Sequence, residues 1–176
     1  MGTVCHENGH MDGKWPDTYK YDAEKGPDGI GAFDLMCSYA NQYNPVTPNP
    51  YFLYKRGWLG VDEIYGSNIA ITDIANAGNV LKYTNPSNAN EFYLIENRYK
   101  TGRSQYIPDN GLTIWHINTD GNNQDKHEPP TTTHQVYLMH ANNDVTVHTA
   151  ASYHGNGGVD AFNDATTPNA TWYNTS

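Results

Sequence analysis

The 176-residue chain carries 19 acidic and 10 basic residues, for a formal net charge of −9, with no run of Lys and Arg. That balance argues against a nucleic-acid or anionic-membrane partner, because both select clustered positive charge. No apolar run is long enough to span a bilayer, and the length fits one domain with a sizeable core. Tyr is abundant at 14, with 4 Trp, while charged residues make up only 16%. This composition suits a secreted, loop-rich protein, so an extracellular location is expected, although no signal peptide is visible in the chain. Two cysteines do not make a disulfide framework.

The first expected element is a short helix from Thr3 or Val4 to Asp12, with Thr3 as its cap and Gly13 as the left-handed residue at its end. Residues 14–32 read as loop, and Phe33–Tyr39 as a short apolar patch around Met36. Pro45, Pro48 and Pro50 exclude regular helix before a second short helix over Phe52–Leu59, with Lys55 and Arg56 on its wet side. Ile69–Ile74 and Val80–Tyr83 read as weak strands. Clearer alternation marks Glu91–Arg98, Gly111–Ile117 and Gln135–His140. The tail from Asn142 is polar and without period. The expected architecture is α+β: one helix, a long loop, then loop-rich antiparallel β structure. It is a single domain, with 1–42 carrying the helix and the loops after it and 43–176 the β-rich part.

His6-Glu7-x-x-His10 carries the chemistry. Two histidines four apart share one helical face and can grip one metal ion. Glu7 follows the first ligand, where it can take a proton from water at a zinc ion. A catalytic zinc needs a third protein ligand and an open position. Gly13 stops the helix, and Asp17 follows as the third ligand. Asp22 is the runner-up, and Asp12 is poorly placed, only two residues past His10. The bland alternative is a surface helix that happens to hold two His and a Glu.

The sequence His6-Glu7-x-x-His10-x-x-Gly13, then Trp15-Pro16-Asp17-x-Tyr19-x-Tyr21-Asp22, resembles the immune inhibitor A family of secreted zinc metallopeptidases, relatives of the metzincins. Gly29-Ile30-Gly31-Ala32-Phe33-Asp34-Leu35-Met36-Cys37-Ser38 is similar to that family's Met-turn block. Phe92–Arg98, Gly111–Ile117 and Phe162–Asn169 resemble further blocks in the same order. The resemblance implies an endopeptidase acting on protein or peptide substrates, with Zn2+ on His6, His10 and Asp17 and with Glu7 as general base. It further implies Met36 packed beneath the metal and Tyr39 as a candidate transition-state stabiliser. Two departures stand out. Strict metzincin spacing puts the third ligand ten residues after the first His, at Pro16, whereas Asp17 comes one later. The family's catalytic domain also begins well before the zinc helix. The chain is therefore expected to be a partial metzincin-like domain without the upstream sheet, completed by an N-terminal half in a longer precursor and weak on its own.

Other residues carry weaker expectations. Cys5 abuts His6 and Cys37 abuts Met36, so a bridge between them is conceivable. His116 lies on a strand between apolar residues and reads as a satisfied core or edge histidine. His127, His134, His140, His148 and His154 read as solvated loop residues. The run Asp120–Asp125 offers clustered oxygens for Ca2+ but lacks the EF-hand glycine, so a polar loop is the preferred reading; Asp160 and Asp164 are a second calcium candidate. The competing functional class is a non-catalytic extracellular binding module with an aromatic-rich surface.

Overall fold

The sheet carries the fold. In this computed structural model, residues 1–21, 29–64, 80–123, 133–154 and 159–173 are described. Five strands lie in chain order: β1 Val61–Glu63, β2 Val80–Asn85, β3 Asn88–Arg98, β4 Gly111–Asn118 and β5 Val136–Met139. The β2–β5 neighbours are antiparallel, while β1 runs parallel to β2. The protein is thus α+β with a mixed sheet, which corrects the all-antiparallel expectation. Three residues, Val-Asp-Glu, carry too little period for β1 to be read from sequence.

Alternation along the strands sorts side chains to two faces. Val80, Phe92, Leu94, Trp115, Ile117, Val136 and Leu138 point to the front. There they share one core with Trp15, Ile30, Phe33, Met36 and Phe52. Residues from 1–42 and 43–176 therefore belong to a single core. Tyr93, Ile114 and Met139 point to the back, under Tyr153, Phe162 and Trp172 of the C-terminal tail. Each fully buried large apolar chain contributes about 1.5–3 kcal/mol.

The helices are short. Helix α1 spans Gly2–Asn8 and widens into a π turn over Gly9–Gly13. Thr3 lies inside α1 and does not cap it, because the helix already starts at Gly2. The left-handed residue is Lys14, at φ 54°, and not Gly13, because the wide turn carries the helical backbone one residue further. Helix α2 covers Pro50–Lys55, earlier than expected, because Asn49 caps it by accepting the Phe52 amide and Pro50 suits the first turn. Lys55 and Arg56 are exposed, as expected. A two-residue turn, Pro86-Ser87, joins β2 to β3, so both strands extend beyond their expected ends.

Two histidines depart from the solvated reading. His134 and His140 are buried, each 3% exposed. The Nδ1 of His140 lies 2.8 Å from the Asp144 carbonyl, and its Nε2 meets the Gly29 carbonyl. Burial pushes its pKa down. Tertiary partners far along the chain made this site, so no local pattern announced it. The Gly29–Gly31 segment is held on the same side by His148, whose ring leaves room only for glycine at 31, where φ is +54°. The expected strand Ile69–Ile74, together with Asp22, His127 and Asp125, lies outside the described residues. Among the described residues no helix is long and apolar enough to cross a membrane.

Candidate metal centre

Three donor atoms converge at the C-terminal end of α1. His6 Nε2 and His10 Nε2 lie 3.2 Å apart, and Asp17 Oδ1 lies 3.0 Å from the first and 3.1 Å from the second. Zinc bonds of about 2.0–2.1 Å at tetrahedral angles separate ligand atoms by about 3.3–3.4 Å, so the triangle is slightly tighter than such a site. The far side of each ring is committed. His6 Nδ1 is 3.0 Å from the Leu35 carbonyl, and His10 Nδ1 is 2.7 Å from the Trp15 carbonyl. Carbonyl oxygens only accept, which assigns the ring hydrogens to Nδ1 and leaves a lone pair on each Nε2. Asp17 is 6% exposed, and its buried Oδ1 receives no hydrogen bond. Two imidazole lone pairs and an orphaned carboxylate oxygen repel one another unless a cation or an added proton lies between them. The donor set, two nitrogens and one carboxylate oxygen, suits a divalent zinc ion. Among the described residues this is the single group of three or more His, Cys, Asp or Glu within ligand reach, and Asp160 and Asp164 join no such group.

Packing beneath the helix sets this geometry. Gly9 stands between the two histidines, and a Cβ there would lie 2.6 Å from the Met36 sulfur and 3.0 Å from the Trp15 ring. Met36 is fully buried and presses directly on the helix backbone. The Trp15 ring also lies beneath Gly13 and stacks on Phe52 of α2, with centroids 5.8 Å apart. The residue that supplies the His10 carbonyl partner is therefore locked by its own side chain.

Asp34 joins the loop that carries Asp17 to the turn at Met36. It is fully buried and accepts from Thr18 Oγ1 at 2.7 Å, Met36 N at 3.2 Å, Asn49 N at 2.8 Å and Asn49 Nδ2 at 2.9 Å. The Thr18 amide also donates to the Met36 carbonyl at 3.0 Å. One carboxylate thus ties the residue after Asp17, the segment under the helix and the cap of α2. Arg98 of β3, fully buried, reaches the same segment from the sheet. Its Nη1 donates to the Phe33 carbonyl at 2.6 Å, and its Nε lies 2.7 Å from Glu96 Oε1. Glu96 in turn accepts from Trp115 Nε1 at 2.9 Å.

The structure brings His6, His10 and Asp17 together, with Met36 beneath them. Glu7 is exposed on the same helix. The ring of Tyr39 packs against Gly2, one turn before His6, where the Gly2 amide donates to the Gln42 carbonyl. The tyrosines at the site are Tyr21, whose hydroxyl donates to Asp17 Oδ2, and Tyr19, which stacks on His6 at 6.2 Å. Their signal was the spacing Asp-x-Tyr-x-Tyr. Cys5 and Cys37 are not joined in a disulfide. No family model matches the chain, and neither a curated protein nor a solved structure matches it.

A second carboxylate–histidine pair lies on the sheet. Glu91 Oε1 is 2.7 Å from His116 Nε2 and accepts the Tyr173 amide at 2.7 Å, while Oε2 accepts Asn85 Nδ2 at 2.9 Å. His116 stacks on Tyr173 with centroids 4.2 Å apart. Burial pushes its pKa down to about 4 against the opposing pull of Glu91. This is a satisfied core histidine that pins the C-terminal tail, as its strand position implied.

Proposed function

We propose that the chain carries the zinc site of a secreted metalloendopeptidase of the immune inhibitor A type, with a metzincin-like arrangement. The observation that carries this reading is the orphaned Asp17 Oδ1 facing two imidazole lone pairs. His6, His10 and Asp17 would hold Zn2+. Bound there, zinc acts as a Lewis acid and lowers the pKa of water to about 7. The Leu35 and Trp15 carbonyls keep both rings in the tautomer that presents Nε2. Glu7, exposed and next to His6 in the chain, would take the proton of the attacking water and hand it to the leaving amine. The substrates are extracellular proteins or peptides.

Zinc content after dialysis against a limiting chelator tests the site. Wild type is expected to retain about one zinc per chain, as one site implies, and His10→Ala none. Glu7→Ala is expected to keep the metal and lose casein hydrolysis; retained hydrolysis in that variant sinks the mechanism. A binding-module reading draws on Trp58 and Tyr43, 60% and 86% exposed. It requires ligand binding that survives chelation and loss of both histidines.

A further inference from the structure

We propose that Tyr21 is a positioning residue that restricts Asp17 to a single donor oxygen. The inference rests on the zinc reading above and adds a role for a side chain outside the ligand set. The two oxygens of Asp17 have different surroundings. Oδ1 faces His6 and His10 at 3.0 and 3.1 Å, whereas Oδ2 accepts the phenol hydrogen of Tyr21. The phenol ring is itself braced. Tyr19 meets it edge-on at 5.2 Å and 74°, and Tyr19 stacks on His6 at 6.2 Å and 30°. His6, Tyr19, Tyr21 and Asp17 therefore close one side of the site as a linked set.

A carboxylate can offer a cation one oxygen or both. Bidentate binding would raise a three-ligand zinc site by one coordination position and take up the place that catalysis keeps open. A phenol hydrogen on Oδ2 occupies a lone pair there, withdraws electron density from it and fixes the carboxylate plane. Only Oδ1 is then left to bind. Hydrogen bonds to metal ligands of this kind typically alter affinity by about 10–100-fold.

Tyr21 is 54% exposed, so Tyr21→Phe keeps the ring contacts and removes little besides the hydroxyl. The full chain and this variant are titrated with Zn2+ against a competing chelator and then loaded with Co2+ for visible spectroscopy. The expected result is a zinc affinity weaker by about 10–100-fold, with lower Co2+ absorption as the site moves from four towards five ligands. The melting temperature of the metal-free protein stays unchanged. An unchanged Co2+ spectrum overturns the proposal whatever happens to affinity, because the phenol would then merely support the loop. A changed spectrum supports it even at equal affinity. Wild type that takes up no metal overturns the zinc reading and this proposal together, whereas failure of the Tyr21 variant alone leaves the zinc reading standing.

Discussion

The two buried carboxylate–histidine clusters are built from the same residue types and differ in where the hydrogens are. At Glu91, three donors meet the carboxylate: the Asn85 amide, the His116 ring and the Tyr173 backbone. At Asp17, one oxygen has Tyr21, but the other faces two rings whose hydrogens point away to carbonyls. A satisfied carboxylate holds structure together. An unsatisfied one, with its neighbours' lone pairs aimed at the same point, is the feature on which the zinc proposal rests. Counting hydrogens separates the two sites where residue identity does not.

Substituting each carboxylate is the sharpest way to break this contrast. Glu91→Ala strands three donors and is expected to lose about 3–5 kcal/mol in denaturant unfolding, with zinc retention intact in the folded fraction. Asp17→Ala is expected to do the opposite, abolishing zinc retention while metal-free stability holds or rises. Equal behaviour of the two variants would erase the distinction. Zinc should separate the sites again. At a free concentration of about 100 times Kd, it should stabilise wild type by about 2.7 kcal/mol and leave Asp17→Ala unmoved, read as a shift in melting temperature.

Acid sharpens the comparison from the other side. The folded His116 has its pKa held near 4, below its ordinary value of 6.5, so the fold favours the neutral ring. The unfolded chain binds the extra proton first, and the stability due to this pair is complete above about pH 6.5 and drains away as pH falls towards 4. His116→Gln should flatten that part of the stability profile. The smallest effect concerns support beneath the ligands. Gly9→Ala pushes a methyl group onto the Met36 sulfur and is expected to cost about 1–3 kcal/mol. The same substitution should cost less when made in a Met36→Ala background.

What was legible in the sequence was chemistry at short, fixed offsets. His6, His10 and Asp17 lie within twelve residues of one another, and the strands β3 to β5 announce themselves by alternation, β2 only weakly. The supports were not legible, because their partners are distant. Asp34 is recognisable as a hub only once Thr18 and Asn49 stand beside it, and Arg98 only once the sheet carries it to Phe33. His140 looks like a loop residue until Gly29 closes over it. Tyr39, singled out by its place in the motif, sets its ring against Gly2, a contact that depends on the backbone bond from Gly2 to Gln42 far along the chain.

The π turn over Gly9–Gly13 has a consequence for how the ligand set tolerates insertions. Against the ten-residue interval from first histidine to third ligand that the family resemblance implies, this chain has eleven. A π turn holds one residue more than an α turn for nearly the same advance along the axis. If the zinc proposal holds, the π turn takes up that extra residue at the helix end, ahead of Asp17. Deleting Met11, whose side chain is 69% exposed, is expected to return the turn to α geometry with the three donors still in reach. Ligand spacing in such a site is then a property of helical winding as much as of loop length.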